Sequence, residues 1–420
     1  MKLLTVDTID QAREKLWNLV KNRSLKTETI PLDEIQGRVL AGDVYANDDI
    51  PGFNRSTVDG YAVVAADTAG AGEAIPVFLK QTGSVAMGKS AVPAGRSEFS
   101  IRSGECAYIP TGGMLPAGAD AVVMVEHCES AGGNIAVYEA AAPGTGMVLA
   151  GEDLRKGAPL LLRGTVFRPQ EAGVLAAAGI TTVPVFASLR LTIISTGDEL
   201  VPPEDQPGPG EVRDINSSAL KALAERRGYS VVSAKTLPDD EAALEAALLE
   251  AVLPEAKAAS DVVIVSGGSS QGEKDSTAEA INRAARPGVF THGLAFKPGK
   301  PTILGWDEKS QTVIAGLPGH PVAAMVVFEL LLGWLSDKLF NKPEPFAIPA
   351  VVFCNLPGSP GRTVCQPVIL HLEDGVYSAE PVFGKSGMIT TLTRADGYII
   401  IDLNKEGLKK GEPVLVHLFQ

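Results

Sequence analysis

The chain has 420 residues, enough for about three domains, and carries 37 Lys and Arg against 50 Asp and Glu, a formal charge of −13. That balance argues against a nucleic-acid surface, because neutralising a phosphate backbone takes clustered cations, although it leaves small anionic ligands open. Hydrophobic residues make up 45% and charged residues 21%, which excludes wholesale disorder, while 44 glycines and 29 prolines point to many sharp turns and close backbone approaches.

Thr8 with Gln11 three residues later has the form of a capping box. Ile9, Ala12, Leu16, Leu19 and Val20 then recur at helical spacing, so an amphipathic first helix is expected. From residue 43 to about 142 short apolar runs alternate with Gly, Pro, Ser and Thr, the pattern of a β-rich, loop-heavy domain. Residues 190–340 change rhythm: strands over 190–195, 230–234, 262–266 and 313–315 alternate with helices over 217–227, 240–253, 275–285 and 321–340. That alternation predicts a doubly wound parallel α/β sheet. The Pro-rich stretch 342–349 reads as a linker, and 350–420 returns to strands and turns compatible with a small barrel.

The four cysteines, Cys106, Cys128, Cys354 and Cys365, form no C-x-x-C pair. No disulfide framework or zinc site is therefore expected, and the reducing cytoplasm is the expected compartment. Lys2, Asp7, Asp10, Arg13 and Glu14 interrupt any leader-like apolar run, and the most apolar stretch, 321–335, is broken by Glu329 and too short for a membrane span.

Open α/β sheets bind ligands beyond the carboxyl ends of their strands, and three informative loops fall there: STGDEL from Ser195, SGGSSQGEKD from Ser266 and GLPGHP from Gly316. Gly267, Gly268 and Gly272 beside a helix start can offer backbone N–H groups to a phosphate, or can simply form a strand-to-helix turn. Lys297 and Lys300 flank a rigid turn suited to a second phosphate, or are solvated surface lysines. Carboxylates gather near the same strand ends: Asp198 and Glu199, Asp239 and Asp240, and Asp275. Carboxylates beside a phosphate loop suit Mg²⁺, a hard cation that takes oxygen ligands, although Asp239 and Asp240 also read as helix N-caps. Asp214 and Asn216 either cap the next helix or meet a ligand.

In order along the chain, PGFNRSTVDGYAV, IPTGGMLPAGADAVV, GEDL, STGDEL, DIN, SGGSSQGEKD, FKPGKP and GLPGHPV together resemble the MoeA/gephyrin E-domain family, the molybdopterin molybdenumtransferases. The resemblance covers nearly the whole chain. It implies four parts: an N-terminal helical and linking domain (1–42 and 143–180), a β-rich domain (43–142), a MogA-like molybdopterin-binding α/β domain (181–341) and a small C-terminal β-barrel (342–420). It implies an enzyme that binds adenylylated molybdopterin, releases AMP and transfers molybdate to the dithiolene sulfurs, with Mg²⁺ or another divalent cation as cofactor. It also implies a homodimer whose cleft is completed by the β-rich domain of the other protomer. A MogA-type adenylyltransferase and molybdoenzyme apoproteins would then be its protein partners, with no nucleic acid or membrane among its partners.

Carried over by motif, the resemblance gives catalytic roles to Asp59, Thr111, Glu199, Asp240 and Asp275, with Glu199, Asp240 and Asp275 as metal ligands. It gives substrate contacts to Gly267, Gly268, Ser269, Gly272, Lys297, Lys300, Asp214 and Asn216. Molybdate contacts fall to Pro318, His320, Pro321, Arg362 and Ser386; a guanidinium and a hydroxyl suit an oxyanion because both donate hydrogen bonds. The sequence departs from the family pattern at Asn54, where aspartate is usual, at Ser269 and Gln271 in the glycine loop, at His320, where asparagine is usual, and at Ala323, where serine is usual. The imidazole of His320 beside an oxyanion site leads to the expectation that tungstate is accepted alongside molybdate. Two other readings are an adenylyltransferase of the MogA type, which needs neither the β-rich domain nor the barrel, and a gephyrin-like scaffold.

Overall fold

The computed structural model describes residues 6–88, 99–253, 259–267 and 276–419. At its centre lies a six-stranded sheet in the order Ser230–Leu237, Arg190–Thr196, Val262–Ser266, Thr312–Leu317, Ile303–Asp307, Pro287–His292. The first four strands run parallel, as the strand-helix alternation predicts. The last two are antiparallel, which makes the sheet mixed at one edge.

Helices cover both faces, and the strands are accordingly apolar on both. Leu191, Ile193, Val262 and Ile264 pack with Leu220 and Leu223 of the Ile215–Arg226 helix and Val322 and Val326 of the Pro321–Phe328 helix. Ile194, Val263, Val265 and Ile314 pack on the other face with Leu244, Leu248, Ala278 and Ile281. This is the both-faces-buried signature of a sheet made mainly of crossover connections. The first helix, Ile9–Val20, has the expected capping box, and its Ala12, Leu16 and Val20 join the first of these two cores.

The predicted helix over 321–340 is interrupted. Pro321–Phe328 and Trp334–Leu339 are α-helical, but Glu329–Gly333 widens into a π turn. A π turn misaligns backbone carbonyls that need other donors. Arg13 Nε supplies one to Leu330 O at 2.8 Å and Tyr229 OH one to Leu332 O at 2.7 Å. The buried Glu329 carboxylate at the start of the turn is held by Arg226 at 2.9 Å and by Arg227 Nε at 2.7 Å.

Two further sheets flank this centre. In the N-terminal half, Ala121–Met124, Gly60–Val63, Glu105–Ile109, Val77–Ser84, Asn134–Val137 and Cys128–Ala131 form one sheet in that order. Gly60 is required there, because a Cβ would stand 2.0 Å from Val123 O. In the C-terminal part, Thr363–Glu373, Val376–Pro381, Ala347–Val352, Pro413–Leu418 and Gly397–Ile401 pair in turn, and the last pairs back with Thr363–Glu373. The five strands thus close into a barrel around Val352, Val368, Ala379, Ile399 and Val416, and closure removes the exposed edges. Phe296–Lys297 of the central unit adds alongside Thr363 and Val364, which seats the barrel beside the carboxyl end of the central sheet.

Candidate functional site

Between that sheet end and the barrel lies a cleft of about 1030 Å³, at the upper end of the range for small-molecule sites. The sheet contributes its wall at the crevice between Arg190–Thr196 and Val262–Ser266, where the connections to the second and third parallel strands leave in opposite directions. Such a switch point opens a crevice by topology alone.

Close backbone approach shapes this wall. A Cβ on Gly267, whose φ is +105°, would stand 2.2 Å from Thr196 O. Glu199 folds its carboxylate back over Gly197, where a Cβ would come within 2.6 Å of Oε2. Val212 N donates to Glu199 O at 2.7 Å and steadies the turn. Asn216 ties two loops together: its Nδ2 donates to Ser266 Oγ at 2.7 Å and to Gly319 O at 2.8 Å. Asp214, 4% exposed, is fully engaged beneath it, accepting from Ser217 N at 2.9 Å and Thr236 Oγ1 at 3.0 Å.

The cleft brings together Glu199, Gly267, Lys297, Lys300, Pro318, His320, Arg362 and Ser386 of the residues singled out in the sequence. His320 precedes the Pro321–Phe328 helix, and its Nδ1 meets Ser386 Oγ of the barrel at 2.8 Å. Val322 N donates to Ser386 O at 3.1 Å, so the turn is fastened to the barrel loop twice. Pro321 opens the helix and is buried behind the wall. Ala323, at the position of a usual serine, faces the cleft with a methyl group.

Other singled-out residues lie elsewhere. Asp59 and Thr111 sit together in turns at the edge of the N-terminal sheet, just before Gly60–Val63 and just after Glu105–Ile109, Thr111 N donating to Asp59 Oδ1 at 2.6 Å, and neither lines the cleft. Asp240 caps the Glu241–Val252 helix through Ala243 N at 2.7 Å. Its neighbour Asp239 faces the cleft instead, with its N–H donating to Asp198 Oδ1 at 3.1 Å. Asn54 accepts from Ala150 N at 2.8 Å. Gly268, Ser269, Gln271, Gly272 and Asp275 lie outside the described residues. Asp239, named in the sequence among the carboxylates that suit Mg²⁺, is a cleft residue, and Thr196 and Lys385 are cleft residues that the sequence reading did not select. Lys385 directly precedes Ser386 in a Gly384–Gly387 turn, a signal that was available. Thr196 carries none beyond its place at a strand end.

The electrostatics are divided. Lys297, Lys300, Arg362 and Lys385 bring positive charge and Glu199 and Asp239 negative charge to one space, within a chain whose overall charge is −13. Cys365 lines the cleft too, but burial pushes its thiol well above the ordinary range, which leaves it a poor nucleophile.

Comparison with known proteins covers nearly the whole chain. Residues 7–179 match the MoeA N-terminal region (domain I and II), 192–337 a probable molybdopterin binding domain and 349–419 the MoeA C-terminal region (domain IV). The chain belongs to the MoeA family of molybdopterin molybdenumtransferases. Among its relatives, the molybdopterin molybdenumtransferase of Haemophilus influenzae is 30% identical over 420 residues, 98% of each chain. That of Bacillus subtilis is 31% identical over 422, covering 98% of this chain and 94% of the relative. The crystal structure of the molybdopterin biosynthesis MoeA protein from Pyrococcus horikoshii covers 99% of this chain and all of its own at 30% identity, with a TM-score of 0.82.

Proposed function

We propose that this MoeA protein inserts molybdenum into adenylylated molybdopterin in the cleft between the central sheet and the barrel. The observation that carries this reading is the convergence of Lys297, Lys300, Arg362 and Ser386 with Glu199 and Asp239 on one cleft. Cationic and hydroxyl donors hold phosphate and molybdate oxygens; on this reading water opens the phosphoanhydride and releases AMP, and the dithiolene sulfurs bind molybdenum as one oxo group of molybdate leaves as water with the two thiol protons, with no change of oxidation state. Arg362 and Ser386 orient the oxyanion, and the lysines offset the charge that develops on the leaving phosphate.

A divalent cation such as Mg²⁺ fits the donor set, since Glu199 and Asp239 are hard oxygen donors on one wall and Mg²⁺ is commonly held by one or two carboxylates plus substrate phosphates. Among the described residues no three Asp, Glu, His or Cys side chains enclose a metal by themselves, so substrate oxygens complete the shell on this reading. When bound, the cation would neutralise phosphate charge; Glu199 and Asp239 would hold it, with Asp275 a further candidate.

The same reading includes a homodimer in which the Asp59–Thr111 tip of one protomer completes the cleft of the other. Exposed Phe53, Met114, Met124 and Val125 near that tip give it the apolar character of a docking surface. Tungstate is proposed as a second oxyanion, because His320 brings an imidazole to the Ser386 hydroxyl. Titrating both oxyanions tests this: tungstate that fails to bind where molybdate saturates refutes it. For the reaction itself, incubation with adenylylated molybdopterin and Mg²⁺ should release AMP only when molybdate is added. Net AMP incorporation from ATP would instead mark an adenylyltransferase, a reading that leaves the barrel half of the cleft without work.

A further inference from the structure

A cavity separate from the cleft opens at the other end of the central sheet. It holds about 300 Å³ and is lined by the approaches to three parallel strands: 187–190 at the start of Arg190–Thr196, 259–261 before Val262–Ser266, and Ser310 and Gln311 before Thr312–Leu317. The chain that follows the first helix, 23–26, closes it. Arg190 lines this cavity and Thr196, at the far end of the same strand, lines the cleft; at roughly 3.3 Å per residue their backbones stand about 20 Å apart. The cavity also lies at the junction with the N-terminal part. Thr27–Pro31 pairs with Thr182–Phe186, and Ala187 N extends that pairing by donating to Lys26 O at 2.9 Å. Small-molecule sites favour such junctions.

Part of the lining is a structural bolt. Arg23 Nη2 donates to Asp261 Oδ1, Arg23 Nη1 to Gln311 O at 2.9 Å, and Arg190 N to Asp261 Oδ2 at 2.6 Å. Both carboxylate oxygens are thereby engaged, whereas Arg23 has used two of its five N–H donors. The bolt accounts for Arg23 and Asp261 but not for the polar groups around them. Lys26 and Arg190 add cations, and Asp261 is the only carboxylate among the described lining residues. Lys26 has no ion-pair partner among the described residues, and Glu28, two positions on, is taken by Arg38. The hydroxyls of Ser24 and Ser188 likewise make no hydrogen bond among the described residues. The Glu241–Val252 helix ends here, and the negative end of its dipole, about half a charge, offsets only part of this cationic lining. Leu25, Leu189 and Val252 supply an apolar wall beside it.

We propose that this cavity binds a small organic anion, a phosphate monoester or carboxylate carried on a short carbon body. Lys26 and the spare donors of Arg23 take the anionic oxygens in charge-assisted hydrogen bonds, the hydroxyls of Ser24 and Ser188 add neutral donors, and Leu25, Leu189 and Val252 cover the carbon body. The same lining repels cations. With less than a third of the volume of the cleft, the site takes a ligand much smaller than the substrate assigned to the cleft.

The test uses the full-length protein in ligand-observed NMR titrations with glycerol 2-phosphate, succinate and, as the neutral control, glycerol. At least one of the two anions should bind and glycerol should not, the tighter anion separating phosphate monoester from carboxylate. Lys26→Glu, a change at an exposed side chain without a partner, should weaken that anion about tenfold or more. Ser188→Ala should weaken it about threefold. Both variants should keep the melting temperature and the molybdate-dependent AMP release of the wild type. Binding that depends on Lys26 should persist in Arg362→Ala, which removes a cation from the cleft instead. Equal anion affinity in Lys26→Glu and wild type, loss of binding in Arg362→Ala, glycerol binding as tightly as the anions, or neither anion binding at about 10 mM would each overturn the site.

Discussion

Asp239 and Asp240 show how one residue position separates two roles. Asp240 spends Oδ1 on the Ala243 amide, a cap whose loss typically costs about 1 kcal/mol, whereas Asp239 lines the cleft. Asp239→Asn is therefore expected to lower molybdate-dependent AMP release more than Asp240→Asn, which retains a capping side chain. Steady-state rates with matched melting temperatures check this. Both aspartates stand before the same helix in the sequence, and nothing in the pattern says which one turns outward. The glycine positions were more legible: Gly267 allows an approach to the Thr196 carbonyl that a Cβ would block, and a glycine directly after a strand advertises that need.

At the scale of elements, the parallel strands were readable because two-sided burial writes an unbroken apolar run, as in Val262–Ser266. The antiparallel edge was not, because Pro287–His292 and Ile303–Asp307 carry Gly288 and Gly305 within them, which break the apolar run. The π turn at Glu329–Gly333 was equally hidden: after Glu329 its Leu330, Leu331 and Leu332 are apolar like their helical neighbours, and the donors that satisfy it, Arg13 and Tyr229, come from far along the chain. Tyr229→Phe leaves Leu332 O without its donor in a buried setting. It is expected to lower stability by about 1–3 kcal/mol, read as a shift in denaturant midpoint with unchanged slope. His417, stacked on Tyr398, adds a pH dependence. Burial, and then the nearby Arg13 charge, hold its pKa below the ordinary imidazole value, so the unfolded chain binds the proton more readily. Its contribution is present above an unfolded pKa of about 6.5 and is lost as pH falls through the depressed folded value. Thermal melts between pH 7 and 5 should show a drop that His417→Gln reduces.

At the scale of the whole molecule, the cleft is assembled from segments far apart in sequence, from Thr196 to Ser386. The strand Phe296–Lys297 joins the two halves by pairing with the barrel. The negative net charge does not oppose an anionic substrate, because Lys297, Lys300, Arg362 and Lys385 all line this space. Asp59 and Thr111 lie in turns at the end of the N-terminal sheet, outside it, and their proposed role depends on a second protomer. Light scattering at micromolar concentration is expected to give twice the 43.8 kDa chain mass. Mixed Asp59→Ala and Arg362→Ala protomers are expected to recover activity that neither variant has alone, since one of the two clefts would then be intact.

The central claim is that oxyanion and adenylylated substrate meet in the cleft between sheet and barrel. The most direct measurement is AMP release from adenylylated molybdopterin as a function of molybdate concentration, in wild type and in Arg362→Ala. Losing a charge-assisted contact of about 1.5–3 kcal/mol predicts that release depends on molybdate and that the variant needs roughly 10- to 100-fold more of it for half-maximal rate. Release indifferent to molybdate, or an Arg362→Ala curve superimposed on that of the wild type, would contradict the account.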